Sequence, residues 1–241
     1  MENNEDSQKE NAANLVIPKK QEKTFEKKVV ITSLITFISL LVVFYMIYKI
    51  NLFSSIPDFK IKYGSYIFFT ILAVVGNTTA IYHLKSYRNA VTCMTGMMIG
   101  MTIGMISGLT FGYLVGATNG MFIGAVYGMI VGISTGIWCG KCCGIMGLME
   151  GAMAGLMGGT MGAMLSVMLL ADNIMIFTPI FIIACLGILY GLGYLVYNEH
   201  KDSDEKLIEP YPLSIFFVVC FIITTITILL MVYGPKSLLL A

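Results

Sequence analysis

The stretch from Gly96 to Gly116, "GMMIGMTIGMISGLTFGYLVG", carries a glycine at every fourth position. Inside a helix, glycine is about 1 kcal/mol less favourable than alanine, so a chain that repeats it on each turn must gain something in return. The period runs unbroken from Gly96 to Gly144, thirteen glycines in all. One helix of that length would be about 72 Å long at 1.5 Å per residue. That is more than twice the roughly 30 Å thickness of a bilayer's hydrocarbon core, so the block has to fold back on itself. Two segments carry turn chemistry, "GATNG" (Gly116–Gly120) and "CGKCCG" (Cys139–Gly144).

The rest of the chain sets the environment in which these glycines act. Its 241 residues are 57% hydrophobic and only 12% charged, with a mean hydropathy of +0.82. A soluble domain is about 25% charged, and the charges here concentrate in two stretches, 1–28 and 198–211. What remains is too apolar to face water. It divides into seven windows near the 20-residue length of a membrane helix: Val29–Ile50, Tyr66–Leu84, Thr95–Val115, Gly120–Trp138, Gly144–Met168, Ile174–Tyr197 and Leu213–Gly234. The expected fold is an all-α polytopic transmembrane bundle of about seven spans with a glycine-zipper core. Four segments follow: a disordered cytoplasmic tail (1–28), two transmembrane helices (29–92), three Gly/Met-rich spans (93–171), and two last helices (172–241) joined by a charged loop at 198–211.

With the N-terminus in the cytoplasm, eleven lysines and arginines fall on inner segments and four on outer ones. That satisfies the positive-inside bias, and seven spans then place the C-terminus outside, in the expected setting of a cell membrane. The first apolar stretch begins late and has no small-residue cleavage site after it, so it is expected to be retained as a span.

Small residues matter in lipid because little hydrophobic force acts between helices there. Association depends on close van der Waals contact. The block also repeats internally. "GMMIGMTIGMISG" from Gly96 aligns with "GMFIGAVYGMIVG" from Gly120, and "GLMEGAMAGLMGG" from Gly147 is a third copy displaced by one residue. The helix-packing candidates are therefore Gly96, Gly100, Gly104 and Gly108; Gly120, Gly124, Gly128 and Gly132; and Gly147, Gly151, Gly155 and Gly159. These ridges resemble the glycine-zipper segments of channels and membrane-shaping scaffolds. The block is also similar to Gly/Met-rich membrane segments of uncharacterised prokaryotic proteins.

Fourteen of the eighteen methionines lie between Met94 and Met168. On the fifth span Met149, Met153, Met157 and Met161 sit two residues from successive ridge glycines, about 200° around the helix. Packing is one use of such a face, because methionine adapts to irregular neighbours. Soft-metal ligation is another. MxxxM beside GxxxG resembles the membrane segments of three-span copper-uptake transporters. That resemblance implies Met97 and Met101, or Met149 and Met153, as Cu(I) ligands along a transport path. Cys139, Cys142 and Cys143 form a C-x-x-C-C cluster that could hold the same class of metal, while Cys185 and Cys220 stand singly in apolar spans.

Glu150 is the one acid well inside an expected span, and intramembrane ionisable groups are functional candidates by default. Asn77, Thr78 and Thr79 read as interhelical hydrogen-bond donors, and His83 beside "LKSYR" as a headgroup contact. His200, Asp202, Asp204 and Glu205 read as a solvated charged loop, and Trp138, Tyr197 and Tyr233 as interfacial aromatics. No phosphate loop, HExxH or GxSxG signature is present, so neither an enzyme nor a resident cofactor is expected. The bilayer is the partner that this composition requires. A homo-oligomer is compatible with the ridges, and nothing points to nucleic acid. The expectation is an integral membrane protein whose glycine ridges serve packing or assembly. The alternative is a transporter or channel for a small cation such as Cu(I).

Overall fold

A computed structural model describes residues 19–49, 59–86, 92–171, 174–202 and 213–235. They form seven long helices: α1 (Lys19–Lys49), α2 (Phe59–Ser86), α3 (Cys93–Asn119), α4 (Met121–Gly140), α5 (Gly144–Met168), α6 (Ile174–Asp202) and α7 (Leu213–Tyr233). Short 3₁₀ turns follow α4 at Lys141–Cys143 and α5 at Leu169–Ala171, and no strand occurs among the described residues. Each of the seven helices is long and apolar enough to cross a membrane, so the chain is a multi-pass, all-α integral membrane protein.

The connections within the glycine block are as short as the chain allows. Thr92 caps α3, its hydroxyl accepting from the Thr95 amide at 3.5 Å. At the other end only Gly120 separates α3 from α4, with φ +103°. That left-handed backbone favours glycine over residues carrying a Cβ. The turn expected over Gly116–Gly120 thus shrinks to one residue, and the buried Gly120 supplies it. The second reversal, through Lys141–Cys143, closes on Gly144 with φ +71°.

Two further boundaries differ from the sequence reading. Residues 19–28, expected in the disordered tail, form the first turns of α1. Their lysines and glutamates are good helix formers, and extending an existing helix avoids the nucleation penalty. For the same reason α6 runs on through Asp202 into the expected loop at 198–211. His200 and Asp202 fall in its last turn, whereas residues 1–18, Arg88, Asp204 and Glu205 lie outside the described residues.

Helix α3 is the hub. Of its span 72% is buried, against 17% for α1. It packs along its length against α4 and α5, while α2, α6 and α7 meet its other side. Tyr113, Leu114 and Val115 of α3 anchor one apolar cluster with Ala73, Ile182 and Met231. Phe111 anchors a second with Leu40, Val74 and Phe216.

Candidate functional site

Glycines from three helices converge on one axis. Helices α3 and α4 run antiparallel, and α3 and α5 run parallel. Gly104, Gly136 and Gly151 share one level, Gly108, Gly132 and Gly155 the next, and Gly112, Gly128 and Gly159 a third. Gly100, Gly140 and Gly147 close one end; Gly116, Gly124 and Ala163 close the other. Levels four residues apart are about 6 Å apart, so the five cover about 24 Å, most of a bilayer's hydrocarbon depth. Gly96 is buried in the first turn of α3.

The approach is backbone to backbone. A Cβ on Gly132 would lie 2.8 Å from both Gly108 Cα and Gly155 O; one on Gly104 would lie 2.8 Å from Gly151 O. The obstructing atoms are main chain, which moves only if the helices separate. The axis between α3, α4 and α5 therefore has no room for a methyl group. Gly158 and Gly162 form a second ridge on α5, against the carbonyls of Met105 and Leu109 in α3. The displaced third sequence copy, with its period on Gly147, Gly151, Gly155 and Gly159, did not mark this ridge. The second ridge lets α5 grip both neighbours.

The methionines turn the other way. Met101, Met149, Met153, Met157 and Met161 are all exposed on the outer faces of α3 and α5, and Met97 is half-buried. Neither MxxxM pair faces the shared axis, because glycine backbone fills it. Near the second reversal, the Cys143 thiol donates to the Cys93 carbonyl at 3.0 Å. Cys139 packs beside Leu84, Ile99 and Val196, and the Cys142 side chain lies outside the described residues. Among the described residues no three His, Cys, Asp or Glu side chains gather as a metal-binding group. Glu150, on the second turn of α5, is half-exposed between Gly151 of the ridge and Met149 of the outer face.

The flanking helices are tied on by polar side chains. Asn77 Nδ2 donates to the Ala73 carbonyl at 2.9 Å and to Thr110 Oγ1 of α3 at 3.3 Å. Thr78 Oγ1 meets Cys220 Sγ of α7 at 3.0 Å, and Thr79 Oγ1 meets Ser33 Oγ of α1 at 3.0 Å. Three consecutive residues of α2 thus reach three different helices. Tyr113 pairs with Thr178 at 2.9 Å, and Tyr127 with Thr227 at 2.7 Å. Sequence reading missed these tyrosine pairs, since a tyrosine in an apolar run gives no sign of which distant hydroxyl it will meet.

A cavity of about 420 Å³ lies between α1, α2 and α6 at the end where α1 begins and α2 and α6 finish. Ser33, Thr79, His83, Tyr190, Tyr194 and Tyr197 supply its polar wall, and the remainder is largely apolar. His83 is thus turned toward a cleft inside the bundle. Gly193 faces it, where a Cβ would stand 3.8 Å from His83 Nδ1. Ser33, Tyr190 and Tyr194 were not singled out in the sequence, because they share no motif and converge only in space. No family model, curated protein or solved structure matches the chain.

Proposed function

We propose that this integral membrane protein has a structural role, in which α3, α4 and α5 form a rigid post that organises the four remaining helices. The observation that carries this reading is the stack of glycine levels, where three backbones meet with no space for a side chain. Such contact maximises dispersion between helices where lipid supplies no hydrophobic drive. The ridge glycines are engaged inside one chain, which leaves the methionine faces of α3 and α5 for lipid or for another copy. By the positive-inside bias the N-terminus is cytoplasmic and the C-terminus outside.

Reconstitution into phosphatidylcholine liposomes tests the proposal. The scaffold reading expects no Cu(I) or proton flux and no stoichiometric metal binding. It also expects Met149→Leu/Met153→Leu and Glu150→Gln variants to elute like the parent protein, while Gly155→Leu does not. Cu(I) flux, or bound Cu(I) lost on Cys139→Ser/Cys142→Ser/Cys143→Ser substitution, would overturn it in favour of a soft-cation carrier.

A further inference from the structure

The cavity between α1, α2 and α6 has a chemistry that the structural role does not require. Its volume, about 420 Å³, falls in the usual range for small-ligand pockets, roughly 300–1,000 Å³. It opens at the side of the bundle, where Tyr190 and Tyr194 are 79% and 64% exposed within the α6 span. Counted at 1.5 Å per residue, Tyr194 lies about 6 Å inside the span end at Asn198, and Ser33 about 6 Å inside the end at Val29. Thr79 lies about 8 Å inside the end at Leu84. The three hydroxyls therefore form a belt at one depth, within a wall that includes Ala80, Leu186 and Leu189.

Their hydrogen bonding is incomplete. Thr79 places its one hydroxyl proton on the Val75 carbonyl at 2.6 Å and meets Ser33 Oγ at 3.0 Å, so Ser33 and Thr79 satisfy each other and the tyrosines do not. Among the described residues the Tyr190 and Tyr194 hydroxyls have no hydrogen-bond partner. Hydroxyls at hydrocarbon depth have little water to turn to, and leaving them unmatched is costly. What they lack is an acceptor oxygen attached to an apolar body. In a membrane, the ester carbonyl of an acyl chain is that group, and it is the deepest oxygen of a glycerophospholipid.

We propose that this cavity is a binding site for a glycerophospholipid acyl chain, held from the surrounding leaflet. The chain lies against Ala80, Leu186 and Leu189, and its ester carbonyl accepts from Tyr194. The proposal is independent of the scaffold reading, since the cavity is walled by α1, α2 and α6 and not by the glycine core.

The test uses the full-length protein in phosphatidylcholine vesicles doped with a phosphatidylcholine that carries a photoactivatable diazirine on one acyl chain. A parallel sample carries the same diazirine on a free fatty acid. After irradiation, the labelled residues are mapped by mass spectrometry. Label is expected on Leu186 and on the buried Leu189, in excess of Ile222 and Ile226 on the exposed face of α7. Ala80→Trp should fill the cavity and bring its labelling down to the α7 level, with α7 labelling and elution unchanged. Tyr194→Phe should reduce cavity labelling about three-fold at sub-saturating probe, the effect of one hydrogen bond within a membrane. Cavity labelling no greater than that of α7, or unaffected by Ala80→Trp, overturns the site. Labelling indifferent to Tyr194→Phe, or stronger with the fatty acid, overturns the assignment of an ester ligand.

Discussion

Helices α3–α5 and helices α1, α2, α6 and α7 are all apolar enough to cross a membrane but are held by different means. In the first group, main chain meets main chain at five levels, and the side chains point away from the shared axis. Among the second group, and where it meets the first, bulky side chains interlock: Tyr82 of α2 and Phe216 of α7 have ring centroids 5.4 Å apart, and Tyr113 of α3 and Phe181 of α6 4.8 Å. Hydroxyl pairs such as Tyr127–Thr227 add direction. The difference lies in tolerance. A side-chain interface can change rotamers to absorb a lost or added methyl group. A backbone interface has no such freedom, so a single atom must push two helices apart.

The sharpest way to break this contrast is Gly155→Leu, which inserts four carbons against Gly132 and Ile133. Loss of the folded, monodisperse species in size-exclusion chromatography is expected, and a normal profile would show that the backbone contact is dispensable. Gly132→Ala comes next. Alanine improves the helix by about 1 kcal/mol, but overpacking typically costs about 1–3 kcal/mol. Its Cβ is blocked at 2.8 Å on two sides, so the cost wins. The midpoint of a sodium dodecyl sulfate titration followed by circular dichroism should fall. Tyr127→Phe removes one interhelical hydrogen bond, and about 0.6 kcal/mol is expected from that loss in a membrane. In the same titration this shift should be smaller than that of Gly132→Ala. At the far end, Gly191→Ala meets open space, with nothing within 4 Å. It should leave stability unchanged or raise it by up to about 1 kcal/mol. A loss as large as that at Gly132 would mean that helix glycines matter here for a reason other than close approach.

The fold class was legible because its signal is local: length and apolarity alone identify seven spans. Element ends were less so. Lys19–Lys28 and Asn198–Asp202 are polar, and a reading by hydropathy stops where the apolar window stops, while a helix continues as long as its backbone bonds do. The glycine period was equally visible, yet the role of each glycine was not. Gly120 continues the spacing of four and still makes a turn, whereas Gly158 and Gly162 break that spacing and pack tightly against α3. The cavity was invisible, since Ser33 and Tyr194 are 161 positions apart and ordinary in their own helices.

What the sequence determined by itself was thus the membrane setting, the number of spans and the period at which helices could approach. These follow from transfer free energy and helix pitch, which depend only on neighbours along the chain. Only the tertiary structure decided that the three ridges meet on one axis inside a single molecule, that the methionines face away from it, and which hydroxyls share a cleft. Those outcomes depend on the relative register of helices, which is chosen by the summed contacts between them and cannot be read from any one helix.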